Sequence, residues 1–454
     1  MEDKNTGEGL KRVIGVPALA ATVVNNTIGA GIYVLPAIVS VQMGAAGILG
    51  YLFCGAMLVA IMLCYMEIGG KVTASGGSYI YVETAFGPFA GFIVNWLFFF
   101  GFGILSSAAI MNVLADSLAL LIPAFSNPIM RALLYFILLG GMVWINIRGA
   151  KQSVKVLEYI TIIKLIPLLG IILFSFSHIK INNLHWEHLP SARSFGETSL
   201  ILFFAFVGFE TSLGASGEIK DPKRTIPRAV MLGGICVFMV YILLQTITQG
   251  VLGGQIGVFK NAPLAAVAQN IVGPIGATIL LIGAIISCLG NVGGDVLATP
   301  RLLFAGAKDG LFPKYLGKVH KKFATPYWAL VTYAGLIFIF ATTGGFEQLA
   351  IMSSCILLLI YLAVILAMLR IRTKKIQPAE KSFKVRGGLI IPFIAIASII
   401  YLLAQLPANQ IIPTIIFIAT ICVIYFLMKW FQKKKSNNKR GRHNAGSRGI
   451  GTTG

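Results

Sequence analysis

Asn25-Asn26-Thr27-Ile28-Gly29-Ala30-Gly31-Ile32-Tyr33 interrupts the first long apolar segment of the chain, which runs from 13 to 39. About 20 apolar residues cross the hydrocarbon core of a bilayer as a helix, so this segment is long enough to do so. Its middle, however, holds two amides, a hydroxyl and two glycines. Lipid offers no hydrogen-bond partner to a loosened backbone, and a break at that depth survives only where protein or a watery cavity lines it. Discontinuous helices near the midplane are how many secondary transporters hold a polar solute. The break therefore predicts both a membrane fold and a binding site.

Outward from the break, the rest of the chain is equally apolar. Hydrophobic residues make up 57% and charged residues 12%, with a mean hydropathy of +0.84. That composition excludes a soluble domain of this length. Spans are expected near 13–39, 42–69, 86–121, 131–147, 154–177, 198–217, 229–252, 264–303, 327–343, 348–369, 388–406 and 410–430. The expected fold class is therefore all-α and integral to the membrane, with about twelve transmembrane helices. Residues 1–12 read as a cytoplasmic tail too acidic for a cleavable signal, and 13–430 as a single transmembrane domain. Its inverted repeats would occupy 13–177 and 198–369, with extra helices over 388–430 and a basic cytoplasmic tail over 431–454.

The net charge of +21 invites a nucleic-acid reading, and its distribution argues against one. With the N-terminus inside, 32 of the 37 Lys and Arg residues fall on the cytoplasmic side; four fall outside and Lys164 lies within a span. This is the positive-inside rule, and it places both termini in the cytoplasm of a cell-membrane protein. The cluster Lys433–Lys435 is a basic tail suited to anionic lipid, so the expected partners are the bilayer and a small solute rather than nucleic acid. The six cysteines (54, 64, 236, 288, 355 and 422) all fall in apolar segments and read as small packing residues. His178, His185 and His188 share an outer loop, where exposed histidines rarely bind metal. No metal or prosthetic cofactor is expected.

A second break lies in the sixth span, where Phe203–Ser212 carries Gly208, Glu210 and two hydroxyls among aromatics. Breaks in spans one and six are what a five-plus-five inverted repeat requires; close helix packing at Gly29, Gly31 and Gly208 is the alternative. Two such breaks face to face make a dipolar site. The half-helix starting near Ala30 would aim free N–H groups and a positive dipole end at an anion. Carbonyls around Phe204–Val207 would accept from a cation. A ligand with a carboxylate and an ammonium a few ångströms apart is an α-amino acid.

The segment N-N-T-I-G-A-G-I-Y-V-L-P (25–36) resembles the first-span signature of the amino acid–polyamine–organocation (APC) superfamily. F-A-F-V-G-F-E-T (204–211), E-I-K-D-P-K-R-T-I-P-R-A (218–229), A-S-G-G-S-Y-I-Y-V-E-T-A-F-G (74–87) and R-L-L-F-A-G-A-K-D-G-L-F-P (301–313) resemble that family's later motifs, in order. The likeness implies the LeuT-like fold with broken helices 1 and 6, alternating access, and transport of amino acids or related amines. By the same resemblance, Asn26, Thr27, Ile28, Gly29, Ala30, Gly31, Phe204, Val207 and Gly208 would surround the substrate. The amides of Gly29–Gly31 would take the carboxylate, and carbonyls of Thr27, Ile28, Phe204 and Val207 the ammonium. Phe204 matches the aromatic outer gate.

Charges inside the membrane each need a reason. Lys164 lies about half a helix length into span five and matches a family position where a lysine replaces a coupling cation. It would adjoin Ser287 and the carbonyls of the first break, as a proton carrier or as a fixed strut. Asp295 stands where the family's arginine/agmatine exchangers carry tryptophan. An acid there suits a cationic side chain, or it pairs with Lys164 or Arg301, or it sits in a cytoplasmic vestibule. Glu210 reads as a brace for the inner half-helix, Glu67 and Asp116 as interfacial, and Asn95 and Ser353-Ser354 as pocket-lining or helix-bridging. Glu218, Asp221, Lys223 and Arg224 suggest a cytoplasmic salt-bridge cluster. The expected activity is secondary transport, by proton symport or by exchange of related solutes. An integral-membrane enzyme would need a nucleophile–base pair or metal motif that the spans lack. A channel would not need two repeat-related breaks.

Overall fold

The computed structural model describes residues 14–447 apart from 73–75, 149, 187, 214–218, 309, 311, 321, 324, 374–384 and 386, with 150–162, 302, 305 and 431–447 described by backbone only. The expected N-terminal tail, Glu218 and the end of the basic tail lie outside these residues.

The chain is a bundle of helices, as its apolar composition requires. The first expected span is broken into α1 (Val16–Thr27) and α2 (Gly31–Met43), and α3 (Ile48–Lys71) follows. After α4 (Ser78–Phe86), Gly87 takes φ +92° and turns the chain into α5 (Pro88–Trp96). A π-helical stretch, Leu97–Gly103, joins α5 to α6 (Ile104–Leu121). Next come α7 (Pro128–Arg148), α8 (Ala150–Ser175), and the broken pair α9 (Ala192–Phe203) and α10 (Phe209–Ser212). The chain continues through α11 (Pro222–Leu252), α12 (Pro263–Val272), α13 (Pro274–Lys308), α14 (Tyr327–Thr343), α15 (Phe346–Thr373), α16 (Ile390–Leu403) and α17 (Ala408–Ser447).

Among the described residues, eight helical stretches are long and apolar enough to cross a membrane, and shorter apolar helices such as α12, α14 and α16 stand beside them. The expected count of about twelve is not fixed by length and apolarity alone. One expected boundary changes: 264–303 is two helices, because Gly273 (φ +81°) followed by Pro274 turns α12 back onto α13. α11 packs along α1 and α3, and α13 along α6 and α8, so the two breaks lie in the interior. α7 buries only Tyr135, Leu139 and Asn146, while Ile129, Phe136, Ile137 and Trp144 face outward. An apolar outer face of that kind suits lipid.

Glu67, near the end of α3, is fully buried in the protein, and four donors converge on it: Arg372 Nε at 2.8 Å, Arg372 Nη2 at 2.6 Å, Lys71 Nζ at 2.8 Å and the Val385 amide at 2.9 Å. The carboxylate ties the end of α3 to the end of α15. Removing one partner of a buried ion pair typically costs about 3–5 kcal/mol. Arg372→Ala should therefore lower the thermal midpoint of the detergent-purified protein well below that of Arg370→Ala; equal midpoints would show that the pair is not structural.

Asp116 pairs with Arg131 where α6 and α7 meet. Of the expected loop cluster, Arg224 reaches Asp221 at 3.7 Å. The six cysteines are free, and four are buried as packing residues; Cys236 is exposed and Cys422 half-buried, so packing does not account for those two. His178, His185 and His188 are all exposed.

Candidate functional site

The break after α1 is closed by groups from three other helices. The Ile28 amide makes the last helical bond, to the Val24 carbonyl, and Ile28 then leaves helical geometry at ψ 88° before α2 restarts at Gly31. Helix ends leave carbonyls without intrahelical partners, and here most of them are met. Lys164 Nζ donates to the carbonyls of Asn25 at 2.7 Å and Ile28 at 2.8 Å. Ser287 Oγ donates to Gly29 O at 3.4 Å, and Tyr241 Oη shares its proton between Thr27 O at 2.9 Å and Ala205 O at 2.8 Å. Lys164 is fully buried, and its charge answers to the break itself.

The second break is built from α9, a tight turn at Phe204–Phe206, extended Val207 and Gly208 at φ +121°. Gly208 lies against the backbone of Asn26, where a Cβ would overlap the Asn26 carbonyl. A Cβ at Gly31 would come 3.1 Å from Ala205 Cα. The two interrupted helices thus touch backbone to backbone, and only glycine fits at Gly208. Asn26 Nδ2 donates across the contact to Thr211 Oγ1 at 2.9 Å and Ser212 Oγ at 3.2 Å. Glu210 braces the turn as expected: its Oε2 accepts the Gly208 amide at 3.1 Å and Tyr361 Oη at 2.6 Å.

Between the breaks lies a cavity of about 700 Å³. Asn26, Thr27, Gly29, Ala30, Gly31, Phe204, Val207, Gly208 and Asp295 all line it. Ile28, Lys164 and Ser287 do not; they stand behind the break and hold its shape. One end is shut by Phe204, stacked edge-on against Phe346 with centroids 5.7 Å apart. The other end runs past exposed Ala18, Ala21 and Ala298 at the N-terminal end of α1 and along α13.

Asp295 pairs with neither Lys164 nor Arg301 among the described residues; Ser107 Oγ donates to its Oδ2 at 2.8 Å. Asn95 and Ser353-Ser354 do not reach the cavity, and Ser353 bonds its own helix at Ala350 O. Sequence reasoning missed Tyr241, Asn291, Ser107 and the aromatic wall of Phe98 and Phe102. Asn291 Nδ2 sits 2.8 Å from where a Gly29 Cβ would be, so the amide faces the first break directly.

The chain matches the family described as amino acid permease over residues 14–438. It is 28% identical over 349 residues to the human large neutral amino acids transporter small subunit 2, covering 72% of this chain and 63% of that protein, so it spans less than two thirds of that relative's length. The serine/threonine exchanger SteT of Bacillus subtilis is 28% identical over 413 residues, 87% of this chain and 91% of the relative. The mouse Asc-type amino acid transporter 1 is 26% identical over 392 residues, 81% and 71% respectively.

Proposed function

Because this chain belongs to the amino acid permease family of the APC superfamily, we propose that it carries amino acids across the cell membrane by alternating access. The observation that carries the reading is the backbone contact of two broken helices, Gly208 against Asn26, at the wall of the cavity. A bilayer-spanning protein has no structural need for two such breaks. The amides of Gly29, Ala30 and Gly31 open α2, where the dipole favours a carboxylate. The Thr27 and Ile28 carbonyls already accept from Tyr241 and Lys164. That leaves Phe204 and Val207 as the wall carbonyls better placed for the α-ammonium. Phe204 against Phe346 is the outer gate, and the opening past Ala18 and Ala21 is cytoplasmic by the positive-inside assignment, which makes this an inward-facing state. Both termini are then cytoplasmic.

Exchange of related solutes or proton symport would drive the cycle, and the relative named as an exchanger favours the first. Counterflow in proteoliposomes tests the reading: labelled solute should accumulate against unlabelled amino acid trapped inside. Leakage without exchange would point to a channel.

A second reading, transport of cationic amino acids or amines such as lysine, ornithine, arginine or agmatine, is favoured by Asp295 on the cavity wall with no basic partner among the described residues. In a thermal-shift screen, lysine and ornithine should raise the midpoint of the wild type, and Asp295→Asn should remove that rise. Stabilisation by neutral amino acids alone would sink this reading and leave the first intact.

A further inference from the structure

Asp295 does not stand alone in the cavity wall. Ser107 is fully buried on α6 and donates its one proton to Asp295 Oδ2 at 2.8 Å. Its Oγ lies 3.4 Å from Tyr333 Oη on α14, and Tyr333 is likewise fully buried. With the Ser107 proton committed to the carboxylate, Tyr333 is the donor in that contact, and Thr299 of α13 is a second hydrogen-bond partner of its hydroxyl. Ser107 and Tyr333 thus back one carboxylate oxygen from α6 and α14. No other protein donor reaches the Asp295 carboxylate among the described residues, so its Oδ1 is left for the cavity that Asp295 lines.

The local backbone accommodates this arrangement. The π-helical stretch Leu97–Gly103 ends three residues before Ser106-Ser107 and changes the register in which α6 faces the cavity. π turns within α-helices are frequent at functional sites. Gly103 gives the Tyr333 hydroxyl its room: a Cβ there would lie 3.2 Å from Tyr333 Oη and 3.3 Å from Phe98 O. Phe98 and Phe102, one helical turn apart on the same segment, also line the cavity. A cavity lined by both a carboxylate and aromatic side chains suits an organic cation. Asp295 is one turn of α13, about 6 Å, beyond Asn291, which itself meets Gly29. An amino acid with its carboxylate at the Gly29–Gly31 amides would thus bring the end of a lysine-sized side chain towards Asp295.

We propose that Ser107, backed by Tyr333, is the positioning residue that fixes Asp295 for the side-chain ammonium or guanidinium of the substrate, and thereby sets the preference for cationic over neutral amino acids. This rests on the cationic reading above. The test is counterflow with the full-length protein in proteoliposomes, measuring KM for L-lysine and for L-leucine. Ser107→Ala should raise the lysine-to-leucine KM ratio about tenfold, equivalent to about 1.4 kcal/mol of lost discrimination. Ser107→Thr keeps the hydroxyl and should return the ratio to within about twofold of wild type. Tyr333→Phe should move the ratio the same way by about threefold, since it removes only the second donor. A Ser107→Ala ratio equal to that of wild type, or a Ser107→Thr ratio as high as that of Ser107→Ala, overturns the proposal while the cationic reading stands. A wild type that exchanges leucine but not lysine overturns both.

Discussion

Gly208→Ala is expected to reduce uptake to below about one tenth of wild type, a loss that needs only about 1.4 kcal/mol at the working conformation. Two effects add. At φ +121° an L side chain is strained, and left-handed backbone alone costs about 1–2 kcal/mol. The added methyl also overlaps the Asn26 carbonyl, which is backbone and cannot swing aside. Separating the breaks would pull Thr211 and Ser212 away from Asn26 and loosen the Tyr241 bridge between Thr27 and Ala205. Gly44→Ala is the control, because Gly44 has φ +58° but nothing within 4 Å of its Cβ position. If dihedral strain were the whole effect, the two variants would fall together. If the contact is what matters, Gly44→Ala should retain most of its uptake. Near-normal uptake by Gly208→Ala would remove the main support for the proposed site.

Which parts of this site could be read in advance follows from how each residue stands out from its surroundings. The first break is legible because amides and glycines are costly in the middle of an apolar span. Lys164 and Asp295 are legible for the same reason, being charges where charge is expensive. Tyr241, Tyr333 and Ser107 are not. A tyrosine or serine in an apolar helix is ordinary, and each of these acts only through a partner far along the chain: Tyr241 bonds a carbonyl 214 residues away, and Ser107 an acid 188 away. The burial of Glu67, near a helix end, is hidden in the same way: it depends on Arg372, 305 residues on. The division of 264–303 was signalled by Gly273-Pro274, a turn dipeptide. Continuous apolarity on both sides hid it. Local chemistry announces itself in sequence, whereas long-range partnership does not.

Lys164→Ala should slow exchange at least about 10- to 100-fold, the equivalent of losing one of its two charge-assisted bonds (about 1.5–3 kcal/mol) to the carbonyls of Asn25 and Ile28. The ammonium is fully buried, and these two bonds hold the end of α1 at the geometry from which α2 restarts. Lys164→Arg keeps the charge, but a planar fork replaces the compact ammonium, so it should restore only part of the rate. The two candidate roles then separate under an imposed pH gradient. As a fixed strut, Lys164 gives a wild type whose uptake ignores the gradient, and the alanine variant is simply slower. As a proton carrier, it gives a wild type accelerated by an inward proton gradient and a variant that has lost the acceleration. A variant that keeps full proton dependence excludes Lys164 as the carrier. Undiminished exchange by Lys164→Ala would be the more damaging result. It would mean that the first break holds its shape without the lysine, and Tyr241 and Ser287 would then have to supply the restraint.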